Sequence, residues 1–246
     1  MKLKDKVAIV TGGGRGIGRA IALGYAKEGA DLILAARTKS EIEAVADEIR
    51  SLGRQAMPIV ADISKELDVN NMVDKAYTCH KQIDVLVNNA AIIDKDLAEI
   101  KDLELSKWSE IIEINLTGTF LCSRAVIRKM IDRNKGSIIN ISSGLGKRGT
   151  TGYNAYSVSK AGVDRLTEIL AEEGRKYNVA VNSIEPGGVT KTRMIERTRL
   201  VLVPEREILS PEGMVPPAVF LAMQDSKSLT GTFIVAKEWN KKHLAL

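Results

Sequence analysis

The chain has 246 residues, of which 36 are Lys or Arg and 31 are Asp or Glu, so its net charge is +5. These charges are scattered and form no basic block or basic–aromatic stripe, which argues against a nucleic-acid-binding surface. Two isolated cysteines, two isolated histidines and only short apolar runs indicate no disulfide framework, no metal site, no signal peptide and no membrane span. We therefore expect a cytoplasmic protein that binds neither nucleic acid nor membrane.

Short apolar runs alternate with helical patterns through the first half of the chain. The run "KVAIV" predicts a buried strand, which is followed by glycines and by a helix that ends at Gly29. A second strand, "DLILAA", precedes a helix with Ser40 as its expected N-cap and Gly53 as its stop. Two further strands, "QAMPIVAD" and "IDVLVNNAA", flank a helix that begins near Ser64.

The same alternation continues through the second half. A long helical stretch is predicted from about Trp108 to Arg133, and the strand "GSIINISS" follows it. The next helix opens around Tyr156, and "VAVNSIEPGG" and "TGTFIV" contain the sixth and seventh strands. This pattern predicts parallel strands that are covered on both faces, with no linker and no repeat. The fold class is therefore α/β: one doubly wound, Rossmann-type domain over residues 1–246, with about seven parallel strands and helices on both faces.

The region 190–210 differs from the rest because its periodicity is weak and it follows the carboxyl end of a strand. Ligands of open α/β sheets bind at that end of the strands. We therefore predict a substrate-covering loop here, although an ordinary surface helix fits the sequence nearly as well.

The glycine-rich stretch "VTGGGRGIGRAI" follows the first strand and opens the first helix. Glycines allow a tight turn and a close approach of the backbone to a pyrophosphate, and the helix N-terminus favours negative charge. The spacing is T-G-x-x-x-G-x-G, which departs from a strict G-x-G-x-x-G. At the first strand–helix junction of an alternating fold, this loop predicts a dinucleotide site.

The residues after the second strand indicate which dinucleotide is bound. An NAD-binding protein carries an acid there, which bonds the adenosine 2′-hydroxyl. This chain has Ala36 and Arg37 instead, and Arg15 lies in the glycine loop. Two guanidinium groups suit a 2′-phosphate, so we predict NADP; solvated surface arginines are the alternative.

The segment "YNAYSVSK" pairs a phenol with an ammonium group. Tyr156 and Lys160 are four residues apart and stack on one helix face, at a rise of roughly 6 Å. Tyr153 is two turns from Lys160, at a rise of roughly 10 Å. If the lysine tunes a tyrosine, that tyrosine is Tyr156; a plain amphipathic surface pair is the commoner meaning of this spacing.

Taken together, these motifs resemble the short-chain dehydrogenase/reductase family from Lys6 to about Ile234. The similarity rests on the glycine loop, the "NNAA" that begins at Asn88, the serine strand, the Tyr-x-x-x-Lys motif and the Pro186-Gly187 turn. Their shared order and spacing make the resemblance specific.

The resemblance implies roles for four catalytic residues. Tyr156 is similar to the general acid that protonates the carbonyl oxygen, and Lys160 to the residue that lowers the pKa of the phenol and holds the nicotinamide ribose. Ser143 resembles the hydroxyl that polarises the carbonyl, whereas Ser142 points to the opposite face if the strand continues. Asn115 resembles the residue that positions a water chain to the lysine; a buried amide that satisfies backbone groups would look the same in the sequence.

The resemblance also implies a set of cofactor-binding residues and no metal. Besides Tyr156 and Lys160, the set consists of Gly12, Gly14, Arg15, Gly16, Ile17, Gly18, Arg37, Asp62, Ile63, Asn89, Ala90, Pro186, Gly187, Val189 and Thr192.

The sequence departs from the family pattern at four places. Ala91 replaces a glycine, and Glu185 stands where a small residue is common. The usual threonine position holds Lys191, so either Thr190 or Thr192 meets the nicotinamide. The C-terminus lacks the glycine-rich ending that the family's tetramer contacts use.

We therefore predict an NADP(H)-dependent oxidoreductase that interconverts a ketone and a secondary alcohol and forms a homo-oligomer, a dimer or a tetramer. A 3-oxoacyl thioester is one candidate substrate by analogy with acyl-carrier-protein reductases. Sugar, polyol and hydroxysteroid substrates remain alternatives. A non-catalytic NADPH sensor is the alternative from another class.

Overall fold

A single sheet of seven parallel strands organises the chain. The computed structural model describes residues 1–196, 204 and 207–244. The strand order is β3-β2-β1-β4-β5-β6-β7. The strand bounds are β1 Val7–Thr11, β2 Asp31–Ala36, β3 Ala56–Val60, β4 Val85–Asn88, β5 Gly136–Ile141, β6 Val179–Glu185 and β7 Phe233–Val235. The predicted fold class is confirmed.

Helices connect the strands and cover both faces of the sheet. Their bounds are α1 Gly16–Lys27, α2 Lys39–Ser51, α3 Glu66–His80, α4 Leu105–Ile112, α5 Gly118–Arg133, α6 Asn154–Gly174, α7 Arg193–Glu196, α8 Val215–Ala222 and α9 Ala236–His243. A π-helical turn, Glu113–Thr117, joins α4 to α5, so the predicted long helix is present and starts slightly earlier than expected. No described helix has both the length and the apolarity that a bilayer crossing requires.

The sheet separates two hydrophobic cores. One contains Ile21 and Tyr25 of α1, Ile42 of α2 and Leu221 of α8, which pack on one face of the sheet. The other contains apolar residues of α3, α5 and α6 on the opposite face. Since both faces are covered, β1, β4, β5 and β6 are buried along their whole length, as their near-continuous apolar runs predict.

The start of α2 differs from the prediction, and the region 190–210 is described only in part. Thr38 occupies the N-cap position of α2, so the prediction of Ser40 was wrong by two residues. The reason is local: no side chain caps this helix, and its backbone is already helical at Lys39. Of the predicted substrate loop 190–210, the structure describes α7 and a bridge between Thr190 and Leu209. Residues 197–203, 205 and 206 lie outside the described residues.

Asp84 ties β1, β4 and α5 together at the end of the sheet away from the glycine loop. Its side chain is buried; Oδ2 accepts a hydrogen bond from the backbone of Val7 at 2.9 Å, and Oδ1 accepts one from Arg133 at 3.2 Å. Removal of a buried carboxylate leaves its donors unsatisfied, which is costlier than the loss of a solvated ion pair.

We expect Asp84→Ala to lower the free energy of unfolding by about 2–4 kcal/mol, because it orphans a buried N–H and a partly buried guanidinium group. Asp47, whose side chain is 75% exposed in its pair with Arg50, provides the control. Asp47→Ala should cost less than about 1 kcal/mol. Urea unfolding of both variants measures the difference, and equal losses would contradict this account of Asp84.

Candidate active site

A cleft of about 1200 Å³ opens at the carboxyl ends of the strands, where the strand order reverses between β1 and β4. This is where ligands bind in open α/β sheets. Every predicted catalytic or cofactor residue lines the cleft except Asn115 and Gly18. The sequence-based set is therefore brought together in one place.

The glycine loop forms one wall of the cleft and is held against β4. Gly12 has φ +63°, and a Cβ there would lie 2.8 Å from Nδ2 of Asn89. Gly18 lies behind the loop, where a Cβ would collide with the carbonyl oxygen of Gly12. Gly18 thus permits close packing of α1 on the loop and does not line the cleft. The bare backbone at the start of α1 fits a dinucleotide pyrophosphate.

Arg15, Arg37 and Glu41 lie together at the adenosine end of the cleft. The sequence analysis did not identify Glu41. Arg15 pairs with Glu41 at 3.0 Å, and Arg193 of α7 reaches the same carboxylate at 2.7 Å. Arg37 is exposed and makes no ion pair with any described residue. Arg37 can therefore bind a phosphate directly, whereas Arg15 must first break its ion pair with Glu41.

Asp62 lines the same end of the cleft. Its Oδ1 accepts hydrogen bonds from the hydroxyl of Ser64 at 2.7 Å and from the Ser64 backbone at 3.1 Å. Burial pushes its pKa up, but these bonds and the charge of Arg37 outweigh burial and hold the pKa below its usual value. Asp62 is therefore an ionised hydrogen-bond acceptor.

Tyr156, Ser143 and Lys160 meet at the centre of the cleft. Tyr156 and Lys160 lie on α6, and Ser143 follows β5. The hydroxyl of Ser143 lies near Tyr156 and accepts a hydrogen bond from the backbone N–H of Leu145 at 3.2 Å. Nζ of Lys160 lies 5.8 Å from the centre of the Tyr156 ring and donates to the carbonyl oxygen of Ile141 at 2.7 Å. Ser142 lies instead beside Asp164.

Burial controls the protonation of this pair. It raises the pKa of Tyr156 to about 12, with the charges of Glu185 and Tyr153 adding to the rise and the nearby hydroxyl of Ser143 opposing it. Burial also lowers the pKa of Lys160 to about 8, against the opposing charge of Asp164. The expected lowering of the Tyr156 pKa is therefore not found, because burial is the largest influence on this phenol and raises its pKa.

Asn115 does not face the cleft. It is fully buried in the π-helical turn; its Oδ1 accepts from the backbone of Ile92 at 2.8 Å, and its Nδ2 donates to the Ile92 carbonyl at 2.9 Å and to Ser159 at 3.0 Å. These bonds occupy the side chain with structural partners. The water-chain role implied by the resemblance has no support from its side-chain contacts.

Sequence reasoning missed Asp164, although the spacing used for Tyr156 and Lys160 would have found it. Asp164 lies one turn beyond Lys160 on the same helix face. Burial raises the pKa of Asp164, and the nearby hydroxyls of Ser142 and Ser183 and the charges of Lys147 and Lys160 oppose that rise. It therefore acts as a partly buried counter-charge behind Lys160.

The two candidate threonines occupy different positions. Thr192 packs against the glycine loop, since a Cβ on Gly16 would lie 3.2 Å from its methyl group. The hydroxyl of Thr190 is buried and has no hydrogen-bond partner among the described residues. An orphaned buried hydroxyl in the cleft wall indicates that a ligand atom completes its hydrogen bonding, so Thr190 suits the nicotinamide amide better than the predicted Thr192.

A dinucleotide-binding cleft with a Ser–Tyr–Lys cluster at its centre defines a nucleotide-dependent oxidoreductase. The sequence pattern of the short chain dehydrogenase family matches residues 6–200. The chain therefore belongs to the short-chain dehydrogenases, and the predicted family and enzyme class are confirmed.

Similar proteins carry several substrate names. The chain is 35% identical over 241 residues to a 3-oxoacyl-[acyl-carrier-protein] reductase of Aquifex aeolicus, with 95% of this chain and 96% of the relative covered. It is 34% identical to the protein of the same name in Thermotoga maritima, covering 95% and 97%. A putative NAD(P)-dependent gluconate 5-dehydrogenase of Beutenbergia cavernae, solved with NADP at low occupancy, superposes with a TM-score of 0.85 at 36% identity, covering 95% and 96%.

Tyr156→Phe should lower the turnover number by roughly 10²- to 10⁴-fold, because it removes the proton donor and leaves the cleft intact. Tyr153→Phe should lose far less, since Tyr153 lies a further turn from Lys160. Fluorescence titration should show that both variants still bind NADPH. A larger loss for Tyr153→Phe would overturn the assignment of the acid.

Ser143→Ala should lower the turnover number by about 10²- to 10³-fold, because a preorganised hydrogen bond to the reacting oxygen is lost. Ser142→Ala is the matched control, since its hydroxyl lies beside Asp164. Steady-state rates of the two variants separate these roles, and equal losses would refute the face assignment.

Proposed function

We propose that this protein is an NADP(H)-dependent reductase that interconverts a ketone and a secondary alcohol. The observation that carries the proposal is the meeting of Ser143, Tyr156 and the buried Lys160 in one dinucleotide cleft. When bound, the reduced dinucleotide supplies the hydride that the carbonyl carbon accepts. Tyr156 gives its proton to the carbonyl oxygen, and Ser143 bonds that oxygen and orients it.

Burial favours the protonated form of Tyr156, which is the form that can donate a proton to a carbonyl oxygen. With a pKa of about 12, the phenol keeps its proton at neutral pH. Reduction needs the protonated phenol as its acid, whereas alcohol oxidation needs the phenolate as its base. Lys160, with a pKa of about 8, remains mostly charged at neutral pH and favours ligand hydroxyl and phosphate groups beside it.

The relatives favour a 3-oxoacyl thioester as the substrate, since two of them are named as 3-oxoacyl-[acyl-carrier-protein] reductases. Lys147 and Arg148 are exposed at the mouth of the cleft and suit the negative charge of an acyl carrier. A hydroxylated ketone is the second candidate, and the carboxylate of Glu185 at the substrate end of the cleft favours it.

The test of the function is NADPH oxidation against acetoacetyl thioesters, hydroxyketones, diketones and steroid ketones. Turnover with any of them, at rates that Tyr156→Phe abolishes, supports the proposal. Tight binding of NADPH with no turnover on the whole panel would instead support the sensor alternative.

We also propose a cytoplasmic homo-oligomer, either a dimer or a tetramer. Phe120 on α5 and Val158 and Ile169 on α6 expose apolar side chains that a second copy would cover. Cys79 and Cys122 are free thiols, which suits a reducing compartment.

Cofactor preference follows from the adenosine end of the cleft. The two guanidinium groups favour NADPH, but Arg15 must exchange Glu41 for the phosphate, so we expect a preference of about 100-fold, at the low end for two charged hydrogen bonds. Ala36→Asp with Arg37→Ala should reverse the preference, mainly through KM for the cofactor. Values of kcat/KM for NADPH and NADH measure it, and a wild-type ratio near one would refute the assignment.

A further inference from the structure

Glu185 places a carboxylate where the substrate end of the cleft meets the catalytic turn. It is the last residue of β6 and directly precedes Pro186, and its side chain lines the cleft. Only 9% of the residue is exposed. Oε2 accepts a hydrogen bond from the backbone N–H of Gly144, next to Ser143, at 2.7 Å. The carboxylate is thus held in place beside the reacting groups.

The space for this carboxylate depends on a residue far away in the sequence. A Cβ on Gly144 would lie 3.3 Å from Oε2, tighter than most van der Waals contacts, and 3.5 Å from Oε1, an ordinary contact. The bare Cα of Gly144 therefore gives the carboxylate room to approach the turn. Glu185 and Gly144 form one local arrangement, in which the backbone orients one carboxylate oxygen and leaves the other toward the cleft.

Among the described residues, Oε2 of Glu185 accepts the Gly144 hydrogen bond, whereas Oε1 has no hydrogen-bond partner and the carboxylate makes no ion pair. Nζ of Lys147 lies instead 3.4 Å from the centre of the Phe233 ring, and Nζ of Lys160 donates to the carbonyl oxygen of Ile141. A carboxylate that is nine-tenths buried and lacks a counter-charge is costly unless a ligand supplies a hydrogen-bond donor.

We propose that Glu185 determines substrate choice by accepting a hydrogen bond from a hydroxyl or ammonium group adjacent to the reacting carbonyl. The carboxylate lies in the same cleft as Tyr156 and Ser143, so a carbonyl bound to those two residues brings its neighbouring substituent toward Glu185. The preferred substrates are then α-hydroxy or α-amino ketones. A plain 3-oxoacyl chain has no donor at that position and leaves Oε1 unpaired.

This inference rests on the proposed ketone reduction and narrows its substrate class. The competing donor is the carboxamide of the cofactor. The two sources differ in what they predict, because loss of a substrate bond changes the choice among ketones, whereas loss of a cofactor bond changes the affinity for NADPH and leaves that choice alone.

The experiment compares kcat/KM for 2-hydroxycyclohexanone and 2-methylcyclohexanone, which differ by a hydroxyl against a methyl group of similar size. The wild-type protein should prefer the hydroxyl compound by roughly 10- to 100-fold, the range for one hydrogen bond to a charged group. In Glu185→Gln the charged acceptor is lost but the amide N–H₂ can donate to the substrate hydroxyl, so the preference should fall several-fold. In Glu185→Ala it should fall to near one, and the NADPH dissociation constant should stay within about threefold in both.

Glu238→Gln is the matched control, since Glu238 also lines the cleft but is exposed. It should retain the wild-type preference. Equal rates on the two ketones with the wild-type protein would overturn the inference without any variant, as would an unchanged preference in Glu185→Gln or Glu185→Ala. A tenfold loss of NADPH affinity with unchanged ketone preference would assign the bond to the cofactor. No turnover on any ketone would refute the proposed function itself.

Discussion

The link between the glycine loop and β4 is the constraint on which the site depends. The hydroxyl of Thr11, at the end of β1, accepts hydrogen bonds from the backbones of Asn89 and Ala90 at 3.0 and 3.1 Å. In return, Nδ2 of Asn89 donates to the carbonyl oxygens of Thr11 and Gly12 at 2.9 and 3.2 Å. Two strands that diverge beyond this point are thereby tied at their carboxyl ends. The loop can lie open to a ligand because its backbone carbonyls are satisfied from behind.

Hydrogen bonds between buried polar side chains connect β4 to α6, the helix that holds Tyr156 and Lys160. Nδ2 of Asn88 donates to Oδ1 of Asn140 at 2.8 Å, and Nδ2 of Asn140 donates to the hydroxyl of Thr167 on α6 at 2.8 Å. Such networks specify one arrangement because a slipped helix would leave several buried groups unpaired. Ser143 follows β5 and Tyr156 lies on α6, so the chain of bonds sets the position of one relative to the other.

Where the signal in the sequence was local, it predicted the strands and the residues that the structure brings together in the cleft. Apolar runs predicted all seven strands, and the four-residue spacing selected Tyr156 over Tyr153. It could not show contacts between distant segments. The Arg15–Glu41 pair depends on how α2 docks beside the glycine loop, and the bonds of Asn115 depend on the path of the backbone at Ile92. The effect of burial on the pKa of Tyr156 was also not predictable, because the spacing identifies the neighbouring lysine but not the loss of hydration. In the sequence, Glu185 was notable only as a departure from the family pattern. Its position beside the reacting groups became apparent only from its hydrogen bond with Gly144.

The distribution of charge along the cleft favours one orientation of a bound molecule. Arg37 at the adenosine end and Lys147 and Arg148 at the mouth are exposed cations, in keeping with the net positive charge of the chain. At the centre, burial keeps Tyr156 neutral, and Glu185 introduces a negative charge that makes no ion pair with any described residue. Anionic groups are therefore favoured at the rim and hydrogen-bond donors at the floor. A substrate with a negative tail and a donor beside its carbonyl would satisfy both regions at once, and it would enter with the carbonyl toward Tyr156.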